Sequence, residues 1–426
     1  MVATFSIEEL ARAMSSPAHG GHIDAGYTYL GQMISHDIVA PAASDHPRTV
    51  TSSLNLDSLY GDSHTAPVNG DCFLIQDDRL DLLRRDGIAR IPESRNDENV
   101  IVAQLHLLWQ RIHNLLVTRE HFTFDEARDR VVQLFQAVII HDYLPQILAP
   151  AVYDLYFKQA ATSRFLRLDT GSMPAVFSRA AFRFGHSMVR SSYALNEHGE
   201  QPLTNLFLPN TGIPDQQKID CWQRFFGSDQ NAAEVGIEPE ATFEVETQKA
   251  GRIDTKITSE MTRIQRPGTR VDITAANLKA GKDAGLPPGT SYVAELLASP
   301  NGSYYREHLA LKPLLEIRAG NLSHVRGLTI DNMPLWPYLL LEAESFNDGS
   351  SGSLGIAGSL IVADVLYGSI TSSTPSYNRA GNPDQLLGLL GGVGAQIRAN
   401  ARSRSEDGRT ICMNDITRTV ELMDPT

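Results

Sequence analysis

The sequence predicts a mainly α protein, built as a single large helical domain. Three observations carry this reading. Apolar residues recur at three- and four-residue spacing in several windows, alternating strand patterns are scarce, and no flexible tract separates the windows. The 426 residues are 42% apolar and 20% charged, which supplies ample material for a core. We take 1–23 as an N-terminal extension and 24–426 as the domain.

The elements follow in chain order. Ile101, Leu105, Leu108, Ile112 and Leu115 step by four and three residues, the stripe of a helix buried along one face. Thr123 and Glu126 have the spacing of a capping box, and Val131, Leu134, Phe135, Val138 and Ile139 follow on one face. Two more helices are expected over 338–344 and 360–367. The best strand pattern, TFEVET at 242–247, is short. Gly, Pro, Asn and Ser gather around 194–216, 283–291, 346–358 and 371–383, which read as loops between helices.

Composition removes several function classes. Fifty acids against 37 bases leave a net charge of -13, which argues against counterion-release binding to nucleic acid and predicts repulsion from anionic membranes. No window approaches the ~20 apolar residues of a membrane span. Three scattered cysteines, Cys72, Cys221 and Cys412, make neither a disulfide framework nor a zinc site and favour a reducing compartment. The opening MVATFSIEELARAMSS carries acids where the apolar stretch of a signal peptide would sit. A cytoplasmic protein is the expectation.

The chemistry-bearing candidates are histidines and oxygen ligands. His106 and His113, seven apart, share a helix face and read as residues at the edge of the core stripe. His36 lies four residues after Gln32 on one helical face, while Asp37 must point elsewhere. His186 follows Gly185, whose missing side chain could admit a flat, bulky group such as a porphyrin to the imidazole. Arg95 precedes the long helix, with Asn96, Asp97 and Glu98 around its first turn, where acids and an amide cap suit the helix dipole. Thr51, Ser53, Asn55 and Asp57 alternate along TSSLNLDSLYGD, a pattern that suits either a Ca²⁺ loop or a turn before Tyr60 and Gly61. The Gly-rich runs GGVGAQ at 391–396 and GSSGSLGIAGS from 349 lack the context of a nucleotide site.

Together GQMISHD, LDSLYG, RNDEN followed by QLHLLWQRIHN, HDYLP, AFRFGHSMV, DITAANLKAGKDAGLP and LWPYLLLEAE resemble the animal-type haem peroxidases of the peroxidase–cyclooxygenase superfamily, and their bacterial branch most closely. The match extends over about residues 24–370. The resemblance implies a haem b enzyme, its haem between a distal and a proximal helix, that reduces hydrogen peroxide and oxidises a small donor through a ferryl state. His36 would be the distal base, Arg95 a pre-placed cation beside the O–O bond, and Gln32 a member of the same pocket. His186 would be the proximal iron ligand. Asn277 would accept a bond from its other ring N–H through the carboxamide oxygen, with Arg183 close by in the cofactor site. Asp37, Thr51, Ser53, Asn55 and Asp57 would bind Ca²⁺.

The chain also departs from the family pattern. Ser35 stands where mammalian members have an Asp that forms a haem ester, so at most one ester link is implied, through Glu98. Asn99 replaces the Met of a sulfonium link. A less electron-poor haem is a weaker oxidant, so bromide, iodide, thiocyanate or a phenol is expected as donor rather than chloride. Within the calcium loop Asn55 and Asp57 replace an Asp and a Ser. Ala280 replaces an Arg that pairs with a haem propionate, with Lys279 and Lys282 nearby. Arg183 occupies the place of the radical-forming Tyr of the oxygenase branches, which argues for a peroxidase, although Tyr27 and Tyr29 near the distal helix keep a fatty-acid dioxygenase reading open. A haem-binding scaffold without catalysis is the third reading, and a Soret band that answers peroxide separates it from the others.

Overall fold

The computed structural model describes residues 5–17, 20–41, 50–61, 66–159, 173–208, 211–227, 245–266, 269–299, 306, 315–316, 319–346, 352–377, 382–402 and 411–424. Helices dominate these residues, and the strands among them pair only in twos. The mainly α class therefore holds. The chain forms two compact units: Met1–Ile23 with Leu144–Ser191 and Lys249–Ser369, and Asp24–Tyr143 with Ser192–Gln248 and Ile370–Thr426.

The second unit is organised on the helix Val100–Glu120. Asn99 caps it, its Oδ1 accepting from Ile101 and Val102 N–H at 3.1 and 3.0 Å. The sequence predicts one buried face, but burial runs around the helix and takes in Gln104, His106, Gln110, Arg111 and His113. The reason is its company: helices Gly26–Ile38, Phe124–Val138, Gly391–Arg402 and Met413–Met423 all pack against it. Trp109, fully buried, meets the Phe135 ring edge-on at 5.0 Å. The predicted capping box is present at Thr123 and Glu126 and opens Phe124–Val138. That helix then widens into a π-helical turn, Ile139–Tyr143. GGVGAQ forms the first turns of Gly391–Arg402, not a phosphate loop.

In the first unit Leu335–Phe346 contains the predicted 338–344 helix and Ile356–Thr371 contains 360–367. Leu335–Phe346 packs on Gly289–Ala298 and on the short 3₁₀ segment Ala181–His186. Gly289 permits this approach, since a Cβ there would lie 2.0 Å from the Tyr338 ring. Of the predicted strand 242–247, residues 242–244 lie outside the described residues and 245–247 are not strand. The strand nearby is Lys249–Gly251. Among the described residues no helix is long and apolar enough to cross a membrane.

Candidate active site: two histidine environments

Helix Gly26–Ile38 carries Gln32, His36 and Asp37, and several contacts fix its position. Tyr27 donates its hydroxyl to the fully buried carboxylate of Asp142, at 2.7 and 2.8 Å to the two oxygens, and the N–H of Met413 donates to the same group at 2.8 Å. At Gly31 a Cβ would lie 2.5 Å from the Tyr143 hydroxyl, so only glycine lets the helix lie this close. His36 comes in the last turn, 8% exposed, with Nδ1 2.8 Å from Asn96 Oδ1. Gln32 Nε2 donates to Glu98 Oε1 at 2.6 Å, and the capping Asn99 donates to Gln32 Oε1 at 3.3 Å. Gln32, His36 and the 94–99 segment are thus joined by side-chain amides.

Arg95 is held more firmly than its expected role suggests. Its Nε and Nη2 donate to the fully buried Glu93 carboxylate at 2.8 Å each. The same Nη2 donates at 3.0 Å to the carbonyls of His36 and Val39, at the negative end of helix Gly26–Ile38. Only Nη1 makes no hydrogen bond among the described residues. The segment is pinned from its other side by Arg84, which grips Asp97 through two 2.7 Å bonds and Asp81 through two of 2.9 Å.

Some of the expected calcium ligands are joined to one another, Thr51 lying 3.4 Å from the Ser53 carbonyl. Asp37, fully buried, accepts backbone N–H groups of Leu56 and Ser58 at 3.0 and 2.8 Å. Thr51 donates to Asp57 at 3.2 Å. Ser53 instead donates to the Ser372 carbonyl at 3.2 Å, and Asn55 accepts from Thr374 N–H at 3.2 Å. Among the described residues no group of three or more His, Cys, Asp or Glu side chains is placed to hold a metal ion. The bonds of Ser53 and Asn55 to 372–374 suit the local reading as a turn.

In the first unit, His186 ends the 3₁₀ segment Ala181–His186, where an α-helical turn was expected. The Phe177 and Phe182 rings stack at 4.6 Å and Ser187 donates to the Phe184 carbonyl at 2.8 Å, which together fix the turn. Asn277, on helix Ile273–Asp283 and 3% exposed, lies 2.6 Å from His186 Nδ1. The amide stands the other way round from the expectation. Its Oδ1 takes a bond from Arg183 Nη1, so its Nδ2 faces the imidazole. Arg183 forces this, because a guanidinium only donates. Burial pulls Arg183 down to about 10, which leaves it a cation at neutral pH. Trp336 Nε1 donates to the Arg183 carbonyl at 3.2 Å and so ties this residue to helix Leu335–Phe346.

A haem fits the His186 environment on two counts. The imidazole is half-buried with one nitrogen already oriented, and a Cβ on Gly185 would meet nothing within 4 Å, which is room for a flat group. In the arrangement described, Nδ1 accepts and Nε2 carries the proton. A haem held by His186 would need that proton to leave or the Asn277 amide to turn against Arg183.

Sequence reasoning gave Asn96 and His106 structural roles only, as a cap and an edge residue, and missed Glu93. The available signal was Gln110 four residues after His106, which puts two polar side chains together on a buried helix face. A cavity of about 300 Å³ in the second unit, bounded by Gln104, Leu108, Arg111, Trp222 and Glu421, includes none of the predicted site residues.

Comparison with known proteins places the chain. The animal haem peroxidase family model matches residues 69–303, more than half of its length, and the chain belongs to that family. Arg95, Glu98, His186 and Asn277 fall inside the match; Gln32 and His36 precede it. Thyroid peroxidase of Rattus norvegicus is 29% identical over 212 residues, covering 46% of this chain and 21% of that protein. A peroxidasin homolog of Mus musculus is 26% identical over 269 residues, 59% of this chain and 17% of that protein. The chain thus spans about a fifth of the length of these curated relatives. Among solved structures, peroxidase A of Dictyostelium discoideum superposes with a TM-score of 0.63 at 14% identity, over 99% of this chain and 90% of that one. The fatty acid alpha-dioxygenase of Oryza sativa gives 0.59 at 13%, over 99% and 78%. At these identities the likeness is one of fold, the peroxidase–cyclooxygenase fold.

Proposed function

We propose that the protein is a haem peroxidase that reduces hydrogen peroxide and oxidises a small donor, a halide, pseudohalide or phenol. The observation that carries the reading is His186, half-buried beside the open face of Gly185 with Asn277 2.6 Å from its Nδ1, in a chain of this family. Bound at His186, haem supplies the redox chemistry that lets the O–O bond break. Peroxide takes two electrons and two protons and leaves as two molecules of water, the electrons coming from the donor. His36 takes the first proton on Nε2 and returns it to the departing oxygen. Arg95 holds the end of helix Gly26–Ile38 and offers Nη1 to developing negative charge. Gln32 orients Glu98, through which we propose at most one haem ester. Calcium is proposed at Asp37, Thr51, Ser53, Asn55 and Asp57, where Thr51 lies 3.2 Å from Asp57 and 3.4 Å from the Ser53 carbonyl.

The oxygenase reading gains nothing from the tyrosines: Tyr27 is committed to Asp142, and Tyr29 packs edge-on against Tyr193 at 5.5 Å. The three cysteines are unpaired, which supports the proposal of a reducing, cytoplasmic setting. The test is the optical spectrum of the haem-loaded protein before and after one equivalent of hydrogen peroxide, beside His36→Ala. The expected result is a Soret band that changes within milliseconds, and orders of magnitude more slowly in the variant. A band that ignores peroxide in both proteins refutes the peroxidase and favours the scaffold.

A further inference from the structure

Asn96 stands between two buried histidines. Its Oδ1 lies 2.8 Å from His36 Nδ1 and its Nδ2 lies 3.0 Å from His106 Nδ1. Asn96 and His106 are fully buried. An amide has one accepting and one donating end, so the ring at its oxygen must donate and the ring at its nitrogen must accept.

The far side of His106 decides which way round this runs. Gln110 places Nε2 3.5 Å from His106 Nε2, and the Oε1 of the same amide is buried with no partner. As placed, two amide nitrogens donate to one imidazole, and a neutral ring cannot accept at both nitrogens. The Gln110 contact is the one to give way, because it is long and leaves a buried carbonyl oxygen orphaned. Turned over, Gln110 Oε1 accepts from His106 Nε2–H, and His106 Nδ1 then accepts from Asn96. Turning Asn96 instead leaves Gln110 Oε1 unsatisfied.

We infer that Asn96, His106 and Gln110 are positioning residues that lock His36 as its Nδ1-protonated tautomer, in which Nε2 is the unprotonated nitrogen that takes the proton of peroxide. The inference rests on His36 being the base, as proposed above. Burial pulls His106 down to about 3, against the field of Glu93, so the relay keeps a neutral ring in its middle. His113 differs: its Nε2 lies 2.9 Å from the Asp71 carbonyl and its Nδ1 3.2 Å from the Tyr60 hydroxyl, a closed set of core bonds with no line to His36.

Two readouts test the relay on the full haem-loaded chain. The first is ¹⁵N NMR of histidine-labelled protein in its diamagnetic ferrous carbon monoxide form, which reads tautomers directly. The expected state is His36 protonated on Nδ1 and His106 on Nε2; His36 protonated on Nε2 overturns the inference. The second is transient kinetics of Asn96→Ala and Asn96→Asp beside His36→Ala. Asn96→Ala should slow the reaction with hydrogen peroxide by about ten- to a hundredfold while leaving donor oxidation unchanged. Asn96→Asp should restore the rate, since a carboxylate accepts from both rings while Gln110 turns back to donate. Wild-type peroxide kinetics in Asn96→Ala, with His36→Ala slow, overturns the relay alone. If His36→Ala is itself unaffected, the peroxidase reading falls, and the tautomer measurement still decides the relay.

Discussion

Glu342 is fully buried in helix Leu335–Phe346 and accepts the N–H groups of Ala357 and Gly358, at 2.9 and 3.2 Å, in the first turn of helix Ile356–Thr371. Burial raises its carboxyl from 4.5 to about 7 in spite of those two donors. A raised pKa means that the folded state holds the proton more tightly than the unfolded chain does. The associated stability is complete below pH 4.5 and is lost as pH climbs through about 7. A shift of this size corresponds to roughly 3 kcal/mol at 1.36 kcal/mol per unit. In Glu342→Gln that dependence disappears. Gln offers one acceptor to two N–H groups, so the variant carries a further loss of about 1 kcal/mol that does not vary with pH. Denaturant unfolding of both proteins between pH 4.5 and 8 isolates the effect, because other groups in the window, Asp254 at about 6 among them, cancel in the difference. The variant should gain on the wild type steadily as pH rises. Parallel curves would refute the assignment of this proton to Glu342.

Three further outcomes follow from the geometry. Gly31→Ala forces a Cβ against the Tyr143 hydroxyl and should cost about 1–3 kcal/mol in unfolding, with slowed peroxide reaction because Gln32 and His36 move with the helix. Arg84→Met leaves Asp81 and Asp97 facing each other in a site where their side chains are at most a tenth exposed; a loss of about 3–5 kcal/mol is expected from the urea midpoint. His186→Ala should abolish the Soret band on haem addition while leaving the circular dichroism of the haem-free protein unchanged, and added imidazole should restore the band.

Helix existence was readable from the spacing of apolar residues, as the capping box at Thr123 and the two late helices demonstrate. What the pattern could not report is how many neighbours a helix has. Val100–Glu120 displays a one-sided stripe in sequence, yet its other faces are also covered, and the polar residues there find partners elsewhere in the chain: Gln104 at Gln217 and Ile219, Arg111 at Asp424, His113 at Asp71 and Tyr60. Periodicity measures the distribution of apolar side chains, and a buried His or Gln that finds a hydrogen-bond partner leaves no trace in it. For that reason His106 read as an edge residue although it lies inside.

The site residues were legible as chemical types, but the direction of each hydrogen bond was not. The resemblance to the animal-type haem peroxidases implies an amide at Asn277 beside the His186 imidazole, with Arg183 in the same site; only the tertiary structure brings in the bond from Arg183 by which the amide oxygen is already taken. Arg95 follows the same rule. Its charge was evident from the sequence, whereas its engagement with the carbonyls of His36 and Val39 depends on two segments far apart in the chain meeting in space. Those bonds alter what the residue can do. A guanidinium clamped on three acceptors stabilises a transition state with less reorganisation than a free one, but only along the direction that its remaining nitrogen faces. Arg95→Lys, which keeps the charge but loses the fork, should therefore weaken both effects together: slower reaction with peroxide, and a helix end less tightly held. A lysine variant that kept the wild-type peroxide rate would show that charge alone, without the clamp, is what the reaction uses.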